Sequence, residues 1–105
     1  MIKIALFCAA GMSTSMLVKK MTESVNSRGL DVQIEAHPES ELARIIDEGI
    51  DVALLGPQVR FKLQSLKKLC DTKGIPIDVI NSLDYGMMNG EKVLSAALEL
   101  IDNKS

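Results

Sequence analysis

Apolar residues follow two different periods along the chain, and the change of period predicts where strands give way to helices. Four short apolar runs have the length of strands, namely 2–8, 31–36, 51–55 and 76–80. Four longer segments repeat apolar residues every three or four positions, as one face of a helix does, namely 13–28, 39–48, 58–73 and 91–102. The stretch 81–90 has room for one short helical turn. Alternating strands and helices favour an α/β fold with a parallel sheet.

Three glycines mark the predicted joints between helices and strands. Gly29, Gly49 and Gly74 each follow a charged residue and precede an aliphatic, strand-like run. Glycine reaches the left-handed conformation that ends many helices without the steric cost that other residues incur. Each glycine is therefore expected to stop a helix just before the next strand begins.

Strand composition predicts the order of the four strands in the sheet. The first and third strands contain nearly continuous apolar runs at 4–7 and 52–55, as expected of central strands buried on both faces. The second strand alternates with polar residues over 32–36, and the fourth opens with Pro76, which cannot donate to a ladder. Both features favour an edge. The predicted order is 2-1-3-4 in a four-stranded parallel sheet with helices on both faces, similar to a phosphatase-like or flavodoxin-like three-layer sandwich.

This order places a switch point between the first and third strands, and ligands bind at such points beyond the carboxyl ends of the strands. Cys8 stands at the end of the first strand. The loop that follows it is expected to face 56–58 after the third strand, with 81–86 next along and His37 on the other side. The strand order and the cysteine therefore indicate the same place.

Composition narrows the class of protein. The 105 residues are 47% apolar, enough for one core, and we expect a single domain over 1–105. No apolar run reaches the roughly eighteen residues of a membrane span, and no signal peptide is recognisable, so a cytoplasmic protein is expected. A net charge of −2 and a low aromatic content argue against nucleic-acid binding. One histidine and two distant cysteines predict neither a metal site nor a disulfide, and no cofactor is expected.

Cys8 is the leading candidate for chemistry. A thiol at a helix N-terminus, among small and hydroxylated residues, meets backbone N–H donors and the helix dipole, both of which favour the thiolate. Cysteine is also a common small buried residue, but the position at the switch point favours reactivity. Cys70 falls on the apolar stripe of the third helix and is predicted to be structural.

Two sets of neighbouring residues allow two interpretations each. The first set forms either an anion-binding nest around Cys8 or an ordinary strand–helix joint, and comprises Gly11, Ser13, Thr14 and Ser15. The second set, which either lines the site or only completes its loops, comprises His37, Gln58 and Tyr85. A lone histidine beside a proline is more often a solvated loop residue than an acid or base.

The segment Phe-Cys-Ala-Ala-Gly-Met-Ser-Thr-Ser at 7–15 resembles the active loop of a known family. It is similar to the enzyme IIB components of the bacterial phosphoenolpyruvate-dependent sugar phosphotransferase system (PTS), in particular those of the lactose/cellobiose/chitobiose branch. The likeness continues at 52–58 and 80–86 and covers essentially the whole chain. It implies one type-3 IIB-like domain over 1–105 with four parallel strands.

The resemblance also implies a function. Cys8 would accept a phosphoryl group from a phosphohistidine on an enzyme IIA partner and donate it to a sugar bound by the membrane-embedded enzyme IIC partner. The implied phosphate-binding loop comprises Ala9, Ala10, Gly11, Met12, Ser13, Thr14 and Ser15. The protein would be a phosphotransferase that associates transiently with the membrane permease, and a monomer is the default for such a relay. The sugar would be of the lactose/cellobiose/chitobiose class.

The alternative is an enzyme that hydrolyses phosphate esters through Cys8. Low-molecular-weight tyrosine phosphatases are similar in having a strand, a cysteine and a phosphate loop, but their loop carries an arginine six residues after the cysteine. Here that residue is Thr14, and no basic residue occurs between Cys8 and Lys19. Loss of a bidentate guanidinium removes stabilisation of the transferring group, so a phosphocysteine is expected to persist. A redox role is disfavoured because no resolving cysteine lies nearby in sequence.

Overall fold

The structure, a computed structural model, describes residues 1–9 and 12–103, and of Met12 and Ser13 it describes the backbone only. The sheet consists of four parallel strands, β1 Ile2–Cys8, β2 Val32–Pro38, β3 Val52–Leu55 and β4 Ile77–Val79. Their order is β2-β1-β3-β4, which confirms the order predicted from strand composition. The switch point accordingly lies between β1 and β3.

Within the described residues the strands are joined and followed by five α-helices, α1 Met12–Arg28, α2 Leu42–Glu48, α3 Leu63–Thr72, α4 Ser82–Gly86 and α5 Gly90–Asp102. Helix α4 occupies the stretch predicted to hold a short helical turn. Its N-cap is Asn81, whose side-chain oxygen accepts from the N–H groups of Leu83 and Asp84. None of the described helices has the length and apolar character that crossing a bilayer requires.

The second and third helices begin later than the sequence predicts. Glu39–Glu41 and Pro57–Lys62 form 3-10 turns, and α-helical geometry starts only after them. Neither turn begins with a side-chain cap hydrogen bond, and Val59 has the non-helical angles φ −114° and ψ 21°. Because no side chain caps these two turns, hydrogen bonds between residues three apart satisfy some of the backbone groups that are otherwise unpaired where a helix begins.

The central strands are buried on both faces, which divides the apolar core into two layers. Ile4 and Leu6 of β1 pack in the layer under α1 and α5. Ala5 and Phe7 pack in the layer under α2 and α3. Because side chains alternate along a strand, Cys8 continues the series of Ile4 and Leu6 and faces the α1 side. The prediction of helices on both faces is confirmed.

The three predicted helix–strand joints adopt the expected backbone. Gly29, Gly49 and Gly74 have φ values of 64°, 95° and 67°. Glycine takes such values at lower steric cost than other residues, so each joint can reverse the chain within a few residues of the helix end. These short joints hold each strand in register with its neighbour.

Candidate functional site

Cys8 is the last residue of β1 and lies at the switch point of the sheet. On one side it pairs with Pro38 of β2. On the other side the chain leaves β3 at Gly56, whose N–H donates to the Phe7 carbonyl oxygen at 2.8 Å. The structure thus brings together the strand ends that the predicted order requires, and Cys8 between them is 1% exposed.

The Cys8 thiol contacts the hydroxyl of Thr14, with Sγ and Oγ1 3.3 Å apart. Thr14 lies in the first turn of α1 and is fully buried. Among the residues whose side chains are described, no other polar or charged residue is buried. A buried hydroxyl is costly unless it is hydrogen-bonded, so this contact helps to explain how a polar side chain is accommodated beside the sheet.

The start of α1 sets the electrostatic environment of Cys8. The helix has 17 residues and begins four positions after the cysteine, and its first turn contains no acidic residue. The free N–H groups at a helix N-terminus carry partial positive charge and attract anions. An anionic sulfur or phosphoryl group is therefore stabilised at this end of α1. The described residues contain no group of three or more side chains suited to holding a metal ion.

The other residues of the predicted phosphate-binding loop are described in part. Ala9 is exposed at a bend directly after Cys8, and Ser15 is exposed on α1. Ala10 and Gly11 lie outside the described residues, as do the side chains of Met12 and Ser13. Anion binding by this loop therefore stays a prediction.

Gly56 lies against Cys8 from the β3 side. An ideal Cβ built on Gly56 would lie 3.1 Å from the Cys8 Cβ and 2.9 Å from Oε1 of Gln58. Both distances are shorter than ordinary carbon contacts, so a side chain at position 56 would displace one neighbour or both. Gly56 therefore leaves little space between its own backbone and these two neighbours, and the role of Gln58 as a site-lining residue stays a prediction.

His37 lies near Cys8 in the sheet but on the opposite face. Its ring packs on Phe7, with the centroids 5.9 Å apart, and its Nε2 lies 3.1 Å from Oε1 of Glu35. Phe7 belongs to the layer under α2 and α3, whereas Cys8 faces α1. Register could have indicated this arrangement, because Phe7 pairs with His37 and Cys8 with Pro38.

Tyr85 is buried rather than exposed at the crevice. It lies in α4, is 8% exposed, and belongs to the apolar layer formed by the sheet with α1 and α5. Its ring therefore supports the packing of the helix that carries Thr14. Of the three predicted site-lining residues, Gln58 is the one that shares a neighbour, Gly56, with Cys8.

Cys70 has the surroundings of an inert thiol. It is fully buried in α3, in the layer on the far side of the sheet from Cys8. Burial raises the pKa of the Cys70 thiol from 9.0 to about 11, with Asp71 adding to the rise and Lys67 opposing it. A thiol in this state is a poor nucleophile near neutral pH.

We expect Cys70 to resist alkylation while the protein is folded. At pH 8 a pKa of about 11 instead of 9.0 lowers the thiolate fraction about 100-fold. The measurement is the iodoacetamide rate in a Cys8→Ser variant, which leaves one thiol, with and without denaturing urea. A native rate within threefold of the denatured rate would contradict this expectation.

Comparison with known proteins identifies the family. A thiol at the switch point of a parallel sheet, beside a helix N-terminus, defines an α/β protein suited to anion chemistry. Residues 3–96 match the family described as "PTS system, Lactose/Cellobiose specific IIB subunit". The chain belongs to this family and is therefore a phosphotransferase component of the sugar PTS.

Individual relatives agree with this assignment. The galactose-specific EIIB component of Lactococcus lactis subsp. cremoris (strain MG1363) is 45% identical over 103 residues, which cover 94% of this chain and 95% of that protein. The cellobiose-specific EIIB component of Lactococcus lactis subsp. lactis (strain IL1403) matches with the same identity and coverage. The oligo-beta-mannoside-specific EIIB component of Bacillus subtilis (strain 168) is 38% identical over 102 residues, covering 97% and 98%.

Solved structures share the fold. The cellobiose-specific phosphotransferase IIB component of Borrelia burgdorferi has a TM-score of 0.82 and 47% identity, with 99% of this chain and 94% of that chain covered. The lactose-specific IIB domain of Streptococcus pneumoniae has a TM-score of 0.83 at 23% identity, with 93% and 95% covered. At that lower identity the likeness concerns the fold alone.

Proposed function

We propose that Cys8 is the phosphoryl carrier of this PTS component. It takes the group from a phosphohistidine of enzyme IIA and passes it to a sugar bound by enzyme IIC. The observation that carries the proposal is the position of the thiol, at the switch point and within 3.3 Å of a hydroxyl in the first turn of α1. The nucleophile and the helix end that stabilises anions therefore lie next to each other.

The proposed relay consists of two displacements at phosphorus. In the first, the Cys8 thiolate attacks the phosphoryl group, an S–P bond forms, and the N–P bond of the phosphohistidine breaks. The electron pair of that bond goes to the imidazole nitrogen. In the second, a sugar hydroxyl attacks phosphorus, its proton passes to solvent, and the S–P bond breaks with its electron pair returning to the thiolate. Backbone N–H groups of residues 10–15 stabilise the charged phosphoryl oxygens in both steps.

The absence of a cation in the loop favours transfer over hydrolysis. Residues 9–15 contain neither arginine nor lysine, and Thr14 stands where a phosphatase loop has its arginine. Asp84 is a distant candidate for the general acid that hydrolysis would need. It lines a cleft with Asp78 and Glu99 beside β4 and α5. Without a bidentate clamp or a placed general acid, attack of water on the phosphocysteine is slow.

Exposed apolar side chains support a protein partner at this edge of the sheet. Four large ones lie on α1 and on the segments that follow β3 and β4, namely Met16, Phe61, Leu83 and Met87, exposed by 52%, 76%, 68% and 69%. Apolar residues grouped around a reactive centre are typical of a docking surface. We propose that the loops at 9–15, 37–39, 57–61 and 81–88 meet enzymes IIA and IIC.

The sugar is proposed to be a disaccharide of the lactose/cellobiose/chitobiose class, selected by enzyme IIC. Two relatives with the same 45% identity to this chain are named for galactose and for cellobiose. Relatives that are equally similar to this chain but carry different sugar names are consistent with selectivity on another subunit.

The decisive experiment incubates the protein with phosphohistidine-labelled enzyme IIA and maps the labelled residue by mass spectrometry. We expect label on Cys8, and no turnover of an aryl phosphate when the protein acts alone. Rapid aryl phosphate hydrolysis, or loss of the Cys8 label within seconds without partners, would instead identify a phosphatase. Label on any other residue would refute the proposed carrier.

A Gly56→Ala variant tests the packing of the carrier. We expect acceptance of the phosphoryl group to slow about tenfold, because the new Cβ pushes on the Cys8 Cβ and misplaces the sulfur. The free energy of unfolding should fall by about 1 kcal/mol. Single-turnover labelling and urea unfolding measure the two effects.

The flexible Gln58 side chain offers a control for this variant. A Gly56→Ala, Gln58→Ala double variant, compared with Gln58→Ala alone, removes the contact at 2.9 Å but keeps the one with Cys8. The defect should persist in the double variant. Full recovery would show that crowding of Gln58, rather than of Cys8, causes the loss.

A further inference from the structure

The buried hydroxyl of Thr14 calls for a functional explanation. Thr14 is fully buried, Cys8 is 1% exposed, and the two side chains meet at 3.3 Å. Valine has nearly the same shape as threonine and would occupy such a site without the cost of burying a hydroxyl. A polar group at this position, within reach of the one reactive thiol at the switch point, indicates that its hydrogen matters.

We propose that Thr14 is a positioning residue that stabilises the Cys8 sulfur anion during transfer by donating its Oγ1–H to Sγ. In the neutral pair either atom could be the donor. A thiolate has no hydrogen, so once Cys8 ionises only the Thr14 hydroxyl can donate, and the bond becomes charge-assisted and stronger. The inference rests on the proposed carrier role of Cys8, because a stabilised thiolate is what attack on a phosphohistidine requires.

The surroundings of Cys8 leave few other groups to perform this task. From β2 the titratable residues are His37 and Glu35, which bind each other, with His37 packed on Phe7 on the opposite face. The β3 side contributes Gly56 and the uncharged Gln58. The first turn of α1 has no acidic residue. Among the described side chains, Thr14 is therefore the polar group in contact with the sulfur.

The position of Thr14 also explains how the contact can be maintained during transfer. The Thr14 hydroxyl is held rigidly because it lies on a regular helix of 17 residues. It contacts the sulfur, whereas a long cationic side chain would instead reach the oxygens of the phosphoryl group. The hydroxyl stabilises the sulfur anion, which is both the attacking group of the first step and the leaving group of the second. It thus assists departure of the phosphoryl group to an acceptor without attracting water to phosphorus.

The test measures the pH dependence of Cys8 alkylation, read from the Cys8 peptide by mass spectrometry. The midpoint of the profile reports the ionisation of Cys8, whereas restricted access of the reagent to the thiol lowers only the plateau. We expect Thr14→Val to raise the midpoint by about one pH unit and to slow phosphoryl acceptance at neutral pH by at most about tenfold. Thr14→Ser, which keeps the hydroxyl, should retain the wild-type midpoint.

Controls separate this role from a structural one. Thr22→Val makes the same change at an exposed position on α1 and should leave the midpoint unchanged. If Thr14→Val does not fold, Thr14→Ala takes its place with the same expected shift. A wild-type midpoint in the variant without the hydroxyl, or an equal shift in Thr14→Ser, would overturn the inference.

The two proposals fail in different ways. A wild-type chain that accepts no phosphoryl group from phosphorylated enzyme IIA would refute the carrier role. The alkylation midpoints would still decide whether Thr14 stabilises the thiolate.

Discussion

Replacing Cys8 with serine is expected to abolish phosphoryl transfer, with a loss of at least about 1,000-fold in labelling by phosphorylated enzyme IIA. A serine hydroxyl keeps the size of the side chain and a hydrogen-bonding partner for Thr14, but it does not ionise near neutral pH. The covalent intermediate then has no competent nucleophile. Labelling is measured in a single turnover with enzyme IIA in excess.

A second cysteine substitution provides the control. Cys70→Ala removes a thiol that lies in α3, in the layer across the sheet from Cys8. If this variant is folded, as judged by circular dichroism, it should accept label at the wild-type rate. Retained labelling in Cys8→Ser, or its loss in a folded Cys70→Ala variant, would contradict the assignment of the carrier.

The order of the strands was predictable because the burial of each strand is reflected in that strand's own amino-acid sequence. Both faces of β1 and β3 are covered by helices, and both strands are therefore apolar at nearly every position. The burial of β2 alternates between half-buried and exposed residues, as its sequence indicated. The glycine joints were predictable for a similar reason, because a positive φ is a local requirement that glycine meets most readily.

The contacts around Cys8 were less predictable because they join residues from separate segments. The position of His37 near the end of a strand predicts that it lies near the crevice. It does not predict which face of the sheet the side chain occupies. Tyr85 follows β4 as predicted, yet the short helix α4 turns it into the core. Thr14 was predicted as one residue of an anion-binding loop, whereas the contact of its hydroxyl with the thiol depends on how α1 is placed on the sheet.

The placement of α1 depends on a close approach to α5 that the sequence does not reveal. Gly90, the first residue of α5, is buried against the backbone of α1. An ideal Cβ on Gly90 would lie 2.5 Å from the carbonyl carbon of Lys20 and 2.6 Å from the nitrogen of Met21. These are backbone atoms, so the overlap can be relieved only by moving one helix away from the other.

Gly90→Ala is therefore expected to lower the free energy of unfolding by about 3 kcal/mol, at the upper end of the usual cost of overpacking. The better helix propensity of alanine offsets at most about 1 kcal/mol. Urea unfolding measures the change. The matched control is Gly86→Ala, where no atom lies within 4 Å of the added carbon and φ is not positive. Equal stability of the two variants would contradict the close-approach argument.

The same variant links the helix pair to the site. Thr14 lies six residues before Lys20 on α1, about 9 Å along the helix axis. A shift of α1 away from α5 therefore also moves the Thr14 hydroxyl relative to Cys8, because a helix moves as a rigid unit. We expect Gly90→Ala, studied well below its unfolding temperature, to raise the midpoint of Cys8 alkylation in the same direction as Thr14→Val. A destabilised variant with an unchanged midpoint would show that the first turn of α1 is held by the sheet alone.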